Sequence, residues 1–250
     1  MNWLFLNPIK ADGWGGMEKW MVNLCRGLPR HGDTVHVLAR RASRWPETCR
    51  HHGIPFTPFA FAGDFAVWNI ARLRALCRRH AVDVACVKGF RQARLVRLAA
   101  PHVAVAVKLP AAGQLTDGCL ERLTFTLCVD RVFVDNHAAR RAFLRHPWVL
   151  PAKVVAVHNG VAPRPPAPDH AQRTALRSRL GLTADAVIVA CVGSLVADKR
   201  YGDALRAFGP LATQHAAVLL IIGDGPERSA LEQQARALCP PGTVRFLGWR

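Results

Sequence analysis

Residues Cys191–Phe208, "CVGSLVADKRYGDALRAF", carry the clearest fold signal in the chain. This stretch contains the end of an apolar run, Val187–Val192, which is short enough for a buried strand. Gly193 and Ser194 interrupt that run, and helical periodicity begins at about Tyr201. A strand, a glycine turn and a helix in this order are the repeating unit of parallel α/β sheets. The stretch therefore predicts a strand followed by a helix that packs on one face of a parallel sheet.

The same alternation extends over most of the chain. The runs that predict strands are Trp3–Leu6, Val35–Ala39, Val82–Val87, Val103–Val107, Arg131–Val134, Val154–Val157, Val187–Val192, Ala217–Ile222 and Val244–Leu247. Two of the helical stripes between them are Met17, Trp20, Met21, Leu24, Leu28 and Phe65, Trp68, Leu73, Leu76, Cys77. Helices are also expected from about His170, Tyr201 and Glu227. The alternation predicts an α/β protein with doubly wound parallel sheets.

One segment interrupts this pattern. "NGVAPRPPAPD", Asn159–Asp169, contains four prolines, which remove hydrogen-bond donors and fix φ. It predicts a linker at residues 163–169 between an N-terminal domain, 1–162, and a C-terminal domain, 170–250. The second domain has only three predicted strands, which would leave apolar faces exposed. We expect it to be incomplete.

The composition restricts the ligands. Lysine and arginine total 34 against 17 aspartates and glutamates, giving a formal net charge of +17. Such a surface attracts nucleic acid, nucleotide phosphates or an anionic membrane. The chain has one tyrosine and lacks the signatures of nucleic-acid-binding modules, so nucleic acid is not an expected partner.

The location in the cell is predicted from the cysteines and the N-terminus. None of the eight cysteines forms a C-x-x-C pair, which argues against a zinc or redox site, and free thiols suit a reducing cytoplasm. The apolar run Trp3–Leu6 is too short for a signal peptide or a membrane span. We expect a cytoplasmic protein. The basic helical stretches Asn69–His80 and Asn136–Trp148 would suit an anionic membrane surface, or would simply be solvated.

A glycine-rich loop follows the first strand, in "NPIKADGWGGMEKW". Gly13, Gly15 and Gly16 would let the backbone approach a ligand, and the following helix N-terminus favours an anion. This is not the dinucleotide pattern G-x-G-x-x-G, because Glu18 stands where that pattern needs glycine. An ordinary glycine turn is the alternative.

Two further loops are expected at the carboxyl edge of the second sheet, where α/β folds bind ligands. In the first, Ser194 could donate a hydrogen bond and Lys199, at the start of the next helix, could hold a diphosphate; a solvated lysine is the alternative. In the second, Gly223 and Asp224 open a tight turn, and Pro226 is the expected first helical residue. The two loops could share one ligand, or the second could be purely structural.

Four stretches together resemble the glycosyltransferases of family 4, which have the two-domain GT-B fold. They are "GWGGMEKWMVNLCRGLPRHGDTVHVL", "VVAVHNGVAP", "VGSLVADKRYGDALRAF" and "IIGDGPERSALEQQARAL…VRFLG", in the order found in that family. The resemblance implies an acceptor-side first domain and a second domain that binds a nucleotide-sugar donor in the cleft between them. The acceptor would be a cell-envelope glycan or glycolipid, of the lipopolysaccharide or polysaccharide type.

The resemblance also implies residue roles. Gly15 and Gly16 match the glycine loop near the donor diphosphate, and Lys199 matches the lysine that binds it. Ser194 stands where many members have arginine. Gly193, Gly223 and Asp224 would lie at the donor cleft, together with Asn159 of the Asn-Gly turn. No residue is assigned as the catalytic group.

This chain departs from the family pattern at two places. Lys108 stands where many members have a histidine. The paired glutamates that hold the donor sugar and ribose have no counterpart, because the last two glutamates, Glu227 and Glu232, are only five positions apart. We expect the 250 residues to be part of a longer transferase or, alternatively, a non-catalytic remnant or an anion-binding module.

The expected chemistry is sugar transfer in which the charge of the departing diphosphate must be stabilised. The chain has no Asp-x-Asp metal box. Lys199, loop amides and helix N-termini would therefore stabilise that charge without a metal or other cofactor. The resemblance implies retention of the anomeric configuration.

Overall fold

The computed structural model describes residues 1–10, 14–61, 66–109, 115, 118–160 and 166–250. The chain divides into two compact units, Met1–Ala162 and Pro163–Arg250. Gly13, Phe65 and the first three residues of the predicted linker lie outside the described residues. Asp169, the last residue of that linker, is a helix N-cap: its carboxylate accepts the Gln172 N–H at 2.7 Å.

The first unit is a seven-stranded parallel sheet with helices on both faces. Its strands are β1 (Asn2–Asn7), β2 (Thr34–Ala39), β3 (Phe56–Pro58), β4 (Val84–Val87), β5 (Ala104–Lys108), β6 (Arg131–Val134) and β7 (Val154–Ala156). Its helices are α1 (Gly16–Gly27), α2 (Trp45–His52), α3 (Val67–Arg79), α4 (Phe90–Ala99), α5 (Cys119–Cys128) and α6 (His137–Phe143). The strand order is β3-β2-β1-β4-β5-β6-β7, so the winding direction reverses between β1 and β4. That reversal is the point where open α/β sheets bind ligands.

The second unit repeats the arrangement on a smaller scale. It contains α7 (His170–Arg179), β8 (Val187–Val192), α8 (Tyr201–Gln214), β9 (Ala217–Ile222), α9 (Arg228–Leu238) and β10 (Val244–Gly248), and its parallel sheet has the order β10-β9-β8. Leu205 and Phe208 of α8 pack with Leu219 and Ile221 in its core. On β8, Val187 and Val192 are exposed. The doubly wound α/β fold predicted from the sequence is confirmed.

Three local predictions were wrong. The edge strand β3 was missed because it has only three residues and ends in Pro58, which is tolerated at a sheet edge. Trp68 does not belong to the buried stripe of α3, because it is 87% exposed while Leu73 and Cys77 are buried. Pro226 does not begin a helix, since α9 starts at Arg228.

The segment Asn136–Trp148, for which the sequence left open a membrane surface or a solvated face, packs its apolar side chains against the core of the first unit. Phe143 is fully buried, and Leu144 and Trp148 pack against the same core. The arginines of this segment therefore do not border an apolar stripe that is free to enter lipid. Among the described helices, none combines the length and the hydropathy needed to cross a membrane.

Candidate functional site

A buried carboxylate organises the carboxyl edge of the first sheet at the β1/β4 reversal. Glu18, the third residue of α1, is 2% exposed. Its Oε2 accepts the N–H of the N-cap residue Gly15 at 3.0 Å. Its Oε1 accepts from Asn7 Nδ2 at 3.1 Å and from Lys88 Nζ at 2.7 Å. The ends of β1 and β4 and the start of α1 are thus joined through one side chain.

The charge state of Glu18 follows from these partners. Burial alone would raise its pKa, but the hydrogen bonds from Lys88 and Asn7 oppose that effect, and the net pKa lies below its usual range. The carboxylate is therefore ionised at neutral pH and balances the Lys88 ammonium. Sequence reasoning used Glu18 only to exclude a dinucleotide motif. Its spacing of three from Gly15 was the available signal, because N3 glutamates commonly accept the N-cap N–H.

The glycines at the start of α1 are not explained by packing or by backbone conformation. Gly15 has φ −147° and ψ −160°, which is extended backbone open to any residue. Among the described residues, a Cβ on Gly15 would meet its nearest atom, Glu18 Oε2, at 3.7 Å, and a Cβ on Gly16 would meet nothing within 4 Å. The space beside Gly16 is open at a helix N-terminus, where an anion is favoured.

A second charged pair lies farther along the same edge. Lys108, the last residue of β5, is 1% exposed and pairs with Asp135, which directly follows β6. The Lys108 Nζ also lies 4.9 Å from the centroid of the Trp20 ring on α1. A buried ammonium needs such partners because desolvation without them is costly. Sequence reasoning noted Lys108 as a departure from the family but missed Asp135.

A cavity of about 300 Å³ adjoins Lys88 on this edge. It lies between the start of α4 and α5. The residues that line it are Lys88, Gly89, Phe90, Arg91, Arg94, Leu109, Leu120 and Glu121. Its lining has three cationic side chains, one carboxylate (Glu121) and three apolar side chains, and Lys88 is already paired with Glu18. The excess of positive charge beside apolar side chains would suit an anionic group on a partly apolar molecule.

The Asn-Gly turn follows β7. Asn159 and Gly160 are exposed. The neighbouring His158 ring lies 5.6 Å from that of His137, at the start of α6. The predicted role of Asn159 at the donor cleft stays a prediction.

In the second unit, the loops after β8 and β9 are packed against each other. Leu195 N–H donates to the Asp224 carbonyl at 3.0 Å, and Glu227 N–H donates to the Leu195 carbonyl at 3.1 Å. A Cβ on Gly223 would lie 1.8 Å from the Gly193 carbonyl oxygen, and one on Gly225 would lie 2.4 Å from that of Leu195. These glycines are needed for close backbone contact between the loops.

The side chains of these loops differ in their surroundings. Asp224 accepts the Gly225 N–H at 2.8 Å and an Arg228 N–H at 3.3 Å, so it stabilises its own turn. Ser194 is exposed. Lys199 ends a 3₁₀ turn, Ala197–Lys199, two residues before α8, not at the start of that helix as the sequence suggested.

The Lys199 ammonium projects into solvent. Its side chain is 55% exposed, and its Nζ lies 3.6 Å from Asp198 Oδ2. An exposed pair of this kind holds a charge only weakly. The ammonium is therefore available to an anionic ligand at little cost. Its assignment to a diphosphate stays a prediction.

The comparisons with known proteins agree on the class. The family "Glycosyltransferase Family 4" matches residues 14–164, and "Glycosyl transferases group 1" matches residues 172–250. The chain belongs to glycosyltransferase family 4, with the GT-B fold. The resemblance inferred from the four sequence stretches is confirmed.

Two curated relatives come from Rhizobium meliloti strain 1021. The lipopolysaccharide core biosynthesis glycosyltransferase LpsD is 26% identical over 243 residues, and LpsE is 24% identical over 237. Each alignment covers 94% of this chain and 64% of the relative. The chain thus spans a little under two thirds of the length of these relatives.

Solved structures share the fold at low identity. Anabaena Alr3699/HepE in complex with UDP has a TM-score of 0.75 at 18% identity, covering 100% of this chain and 70% of that one. A glycosyltransferase from Rickettsia africae has a TM-score of 0.84 at 12% identity, covering 100% and 68%. The lipopolysaccharide outer core galactosyltransferase WaaB, in its apo form, has 0.63 at 15%, covering 100% and 68%.

Proposed function

We propose that this chain provides the acceptor-side domain and part of the donor-binding domain of a glycosyltransferase. The enzyme would transfer a sugar from a nucleotide-sugar donor to a cell-envelope acceptor of the lipopolysaccharide or polysaccharide type. The observation that carries the proposal is the open glycine start of α1 at the β1/β4 reversal, in a chain of family 4. Its relatives LpsD and LpsE, named for lipopolysaccharide core biosynthesis, support the acceptor class.

The donor side of the proposal rests on Lys199 and the glycine amides. In the transfer, the bond between the sugar C1 and the diphosphate oxygen breaks with its electron pair on that oxygen. The acceptor hydroxyl oxygen bonds to C1 and passes its proton to the departing diphosphate oxygen. The exposed Lys199 ammonium would stabilise the charge on the departing diphosphate. We propose that no metal takes part and that the anomeric configuration is retained.

The acceptor side of the proposal rests on the cavity beside Lys88. Lys88, Arg91 and Arg94 would hold a phosphate or carboxylate of the acceptor, and Phe90 and Leu109 would contact its apolar parts. Acidic groups on the acceptor would suit this lining. We place the protein in the cytoplasm, at the inner face of the cell membrane.

A direct experiment is to measure sugar transfer from a panel of radiolabelled nucleotide hexoses, beginning with UDP-glucose because HepE has been solved with it. The acceptor is lipopolysaccharide from core-deficient cells. Transfer that persists in a chelator, with retained configuration, is the expected result. Transfer that stops with a chelator and returns with manganese would contradict the metal-independent mechanism.

A second candidate function is donor binding without transfer. The exposed Lys199 ammonium favours it, because that ammonium could bind a donor phosphate whether or not transfer follows. The two candidates are separated by calorimetry run beside the transfer assay. Binding of UDP-glucose with no labelled product would favour the binding module.

A further inference from the structure

The carboxyl edge of the first sheet holds two lysine–carboxylate pairs of opposite orientation. In the Glu18–Lys88 pair the carboxylate is buried, and 29% of the lysine side chain is exposed. In the Lys108–Asp135 pair the lysine is buried, and 22% of the aspartate side chain is exposed. The first pair therefore presents an ammonium at this edge, and the second presents a carboxylate.

Stability does not explain the Lys108–Asp135 pair. The attraction within a buried ion pair is largely offset by desolvation, and an apolar pair of similar volume stabilises a fold as well or better. The Trp20 ring that Lys108 contacts packs against an apolar core with Phe5 and Met21, so an apolar residue would suit the position of Lys108. The two charges therefore indicate a role in binding.

Lys108 fixes the carboxylate of Asp135 and leaves part of it open. Among the described residues, Lys108 Nζ is the only hydrogen-bond donor to this carboxylate, and it donates to Oδ1. The other oxygen, Oδ2, is left for a donor from outside the chain. The Lys108 ammonium repels a second cation. The suitable donor is therefore a neutral hydroxyl group, which a carboxylate oxygen accepts readily.

Lys88 and Asp135 lie on either side of the end of β5. Lys88 directly follows β4 and Asp135 directly follows β6, and β5 pairs with both strands. Neighbouring strands lie about 4.8 Å apart, so the two strand ends are separated laterally by about 10 Å. This separation is comparable with the length of one or two sugar rings. Leu109, the residue after Lys108, lines the cavity beside Lys88, so the end of β5 joins the two places.

We propose that Asp135 binds a hydroxyl group of the acceptor sugar through Oδ2, and that Lys108 is the positioning residue that holds this carboxylate. The acceptor then carries an anionic group near Lys88 and a free hydroxyl near Asp135, as a phosphorylated or acidic glycan does. This inference rests on the proposed function, because it names the acceptor groups that bind at the same edge of the first sheet.

The test is calorimetric titration with the deacylated core oligosaccharide of core-deficient cells, which keeps its phosphates. The wild type is compared with K108M/D135A, which removes both charges together, and with Lys108→Met alone. The matched control is Asp130→Asn. Asp130 directly precedes β6, at the opposite edge of the same strand, and pairs there with Arg97. Urea unfolding verifies that each variant is folded.

The double variant should be about as stable as the wild type, because no buried charge loses its partner. It should bind the oligosaccharide about tenfold more weakly, through loss of the hydrogen bond to a charged oxygen. Lys108→Met should lose about threefold, because Asp135 remains but is no longer held in place. Asp130→Asn should bind the oligosaccharide as the wild type does, and the affinity for UDP-glucose should be unchanged in every variant.

Two results would overturn the inference alone. They are wild-type affinity of the double variant for the oligosaccharide, which would make the pair purely structural, and an equal loss of affinity in Asp130→Asn. A wild type that does not bind the oligosaccharide would contradict the proposed acceptor class, and this inference with it. A wild type that binds the oligosaccharide but not UDP-glucose would count against the donor side of the proposed function and leave this inference standing.

Discussion

The two glycine-rich loops of this chain use glycine for different physical reasons. In the loop after β9, Gly223 has φ 148°, and a side chain there would collide with the Gly193 carbonyl. At the start of α1, Gly15 is extended, and no atom of the described residues lies within 4 Å of a Cβ on Gly16. The first loop needs glycine to fold. Gly15 and Gly16 show no such need among the described residues, so the approach of a ligand is our explanation for these two glycines.

The largest effect that this comparison predicts is on stability. Gly223→Ala should lower the free energy of unfolding by about 3 kcal/mol or more, because the new Cβ meets backbone that cannot move without separating the two loops. Urea unfolding followed by circular dichroism measures this. Near-wild-type stability of the variant would show that the loop contact is dispensable.

The next effect is on binding alone. Lys199→Met should weaken donor binding about 30-fold, or about 2 kcal/mol, through loss of a charge-assisted contact with the diphosphate. Stability should change little, because the Lys199–Asp198 pair is exposed. Calorimetric titration with UDP-glucose measures the binding. The matched control is Lys19→Met, which replaces an exposed lysine on α1. Equal losses of affinity in both variants would show that Lys199 acts only through the overall positive charge of the chain.

Acid should weaken the first unit through His36 on β2. Burial, helped by the neighbouring His80 and Arg79, lowers the His36 pKa to about 4. The unfolded chain binds this proton near pH 6.5, so the free energy of unfolding should fall as the pH drops from about 6.5 to about 4. We expect a loss of about 1.5 kcal/mol, less than the pKa difference alone would give, because the ring is only partly shielded from solvent.

Unfolding measured across this pH range tests the prediction. His36→Gln serves as the comparison, because glutamine can keep the hydrogen bond that His36 Nε2 forms with Thr57 Oγ1 at 2.9 Å and does not titrate. The pH dependence should flatten in that variant. If the free energy of unfolding of the variant falls with pH as steeply as that of the wild type, another titratable group causes the acid sensitivity.

The strands were predictable because buried parallel strands appear in a sequence as continuous apolar runs. Val187–Val192 and Ala217–Ile222 coincide with β8 and β9. The strand β3 was not predictable, because three residues ending in proline carry no such signal. Strands were therefore recovered where they are continuous apolar runs, including β8, although its Val187 and Val192 are exposed.

The site was only partly predictable. Gly15 and Gly16 were found from their local pattern. The partnership of Glu18 with Lys88 joins residues 70 positions apart, and it follows from β4 lying beside β1. The Lys108–Asp135 pair likewise depends on β5 and β6 being neighbours. Such pairs are set by strand order, which periodicity does not specify.

We propose that Gly15 and Gly16 keep the N-terminus of α1 open for the donor. The most direct measurement is calorimetric titration of UDP-glucose into Gly16→Ala and Gly27→Ala. Both glycines belong to α1, and in both a Cβ would meet no atom of the described residues within 4 Å. Both variants should be as stable as the wild type or slightly more so. We predict that Gly16→Ala binds about fivefold more weakly, or about 1 kcal/mol, while Gly27→Ala binds as the wild type does. Equal affinity in the two variants would contradict the claim.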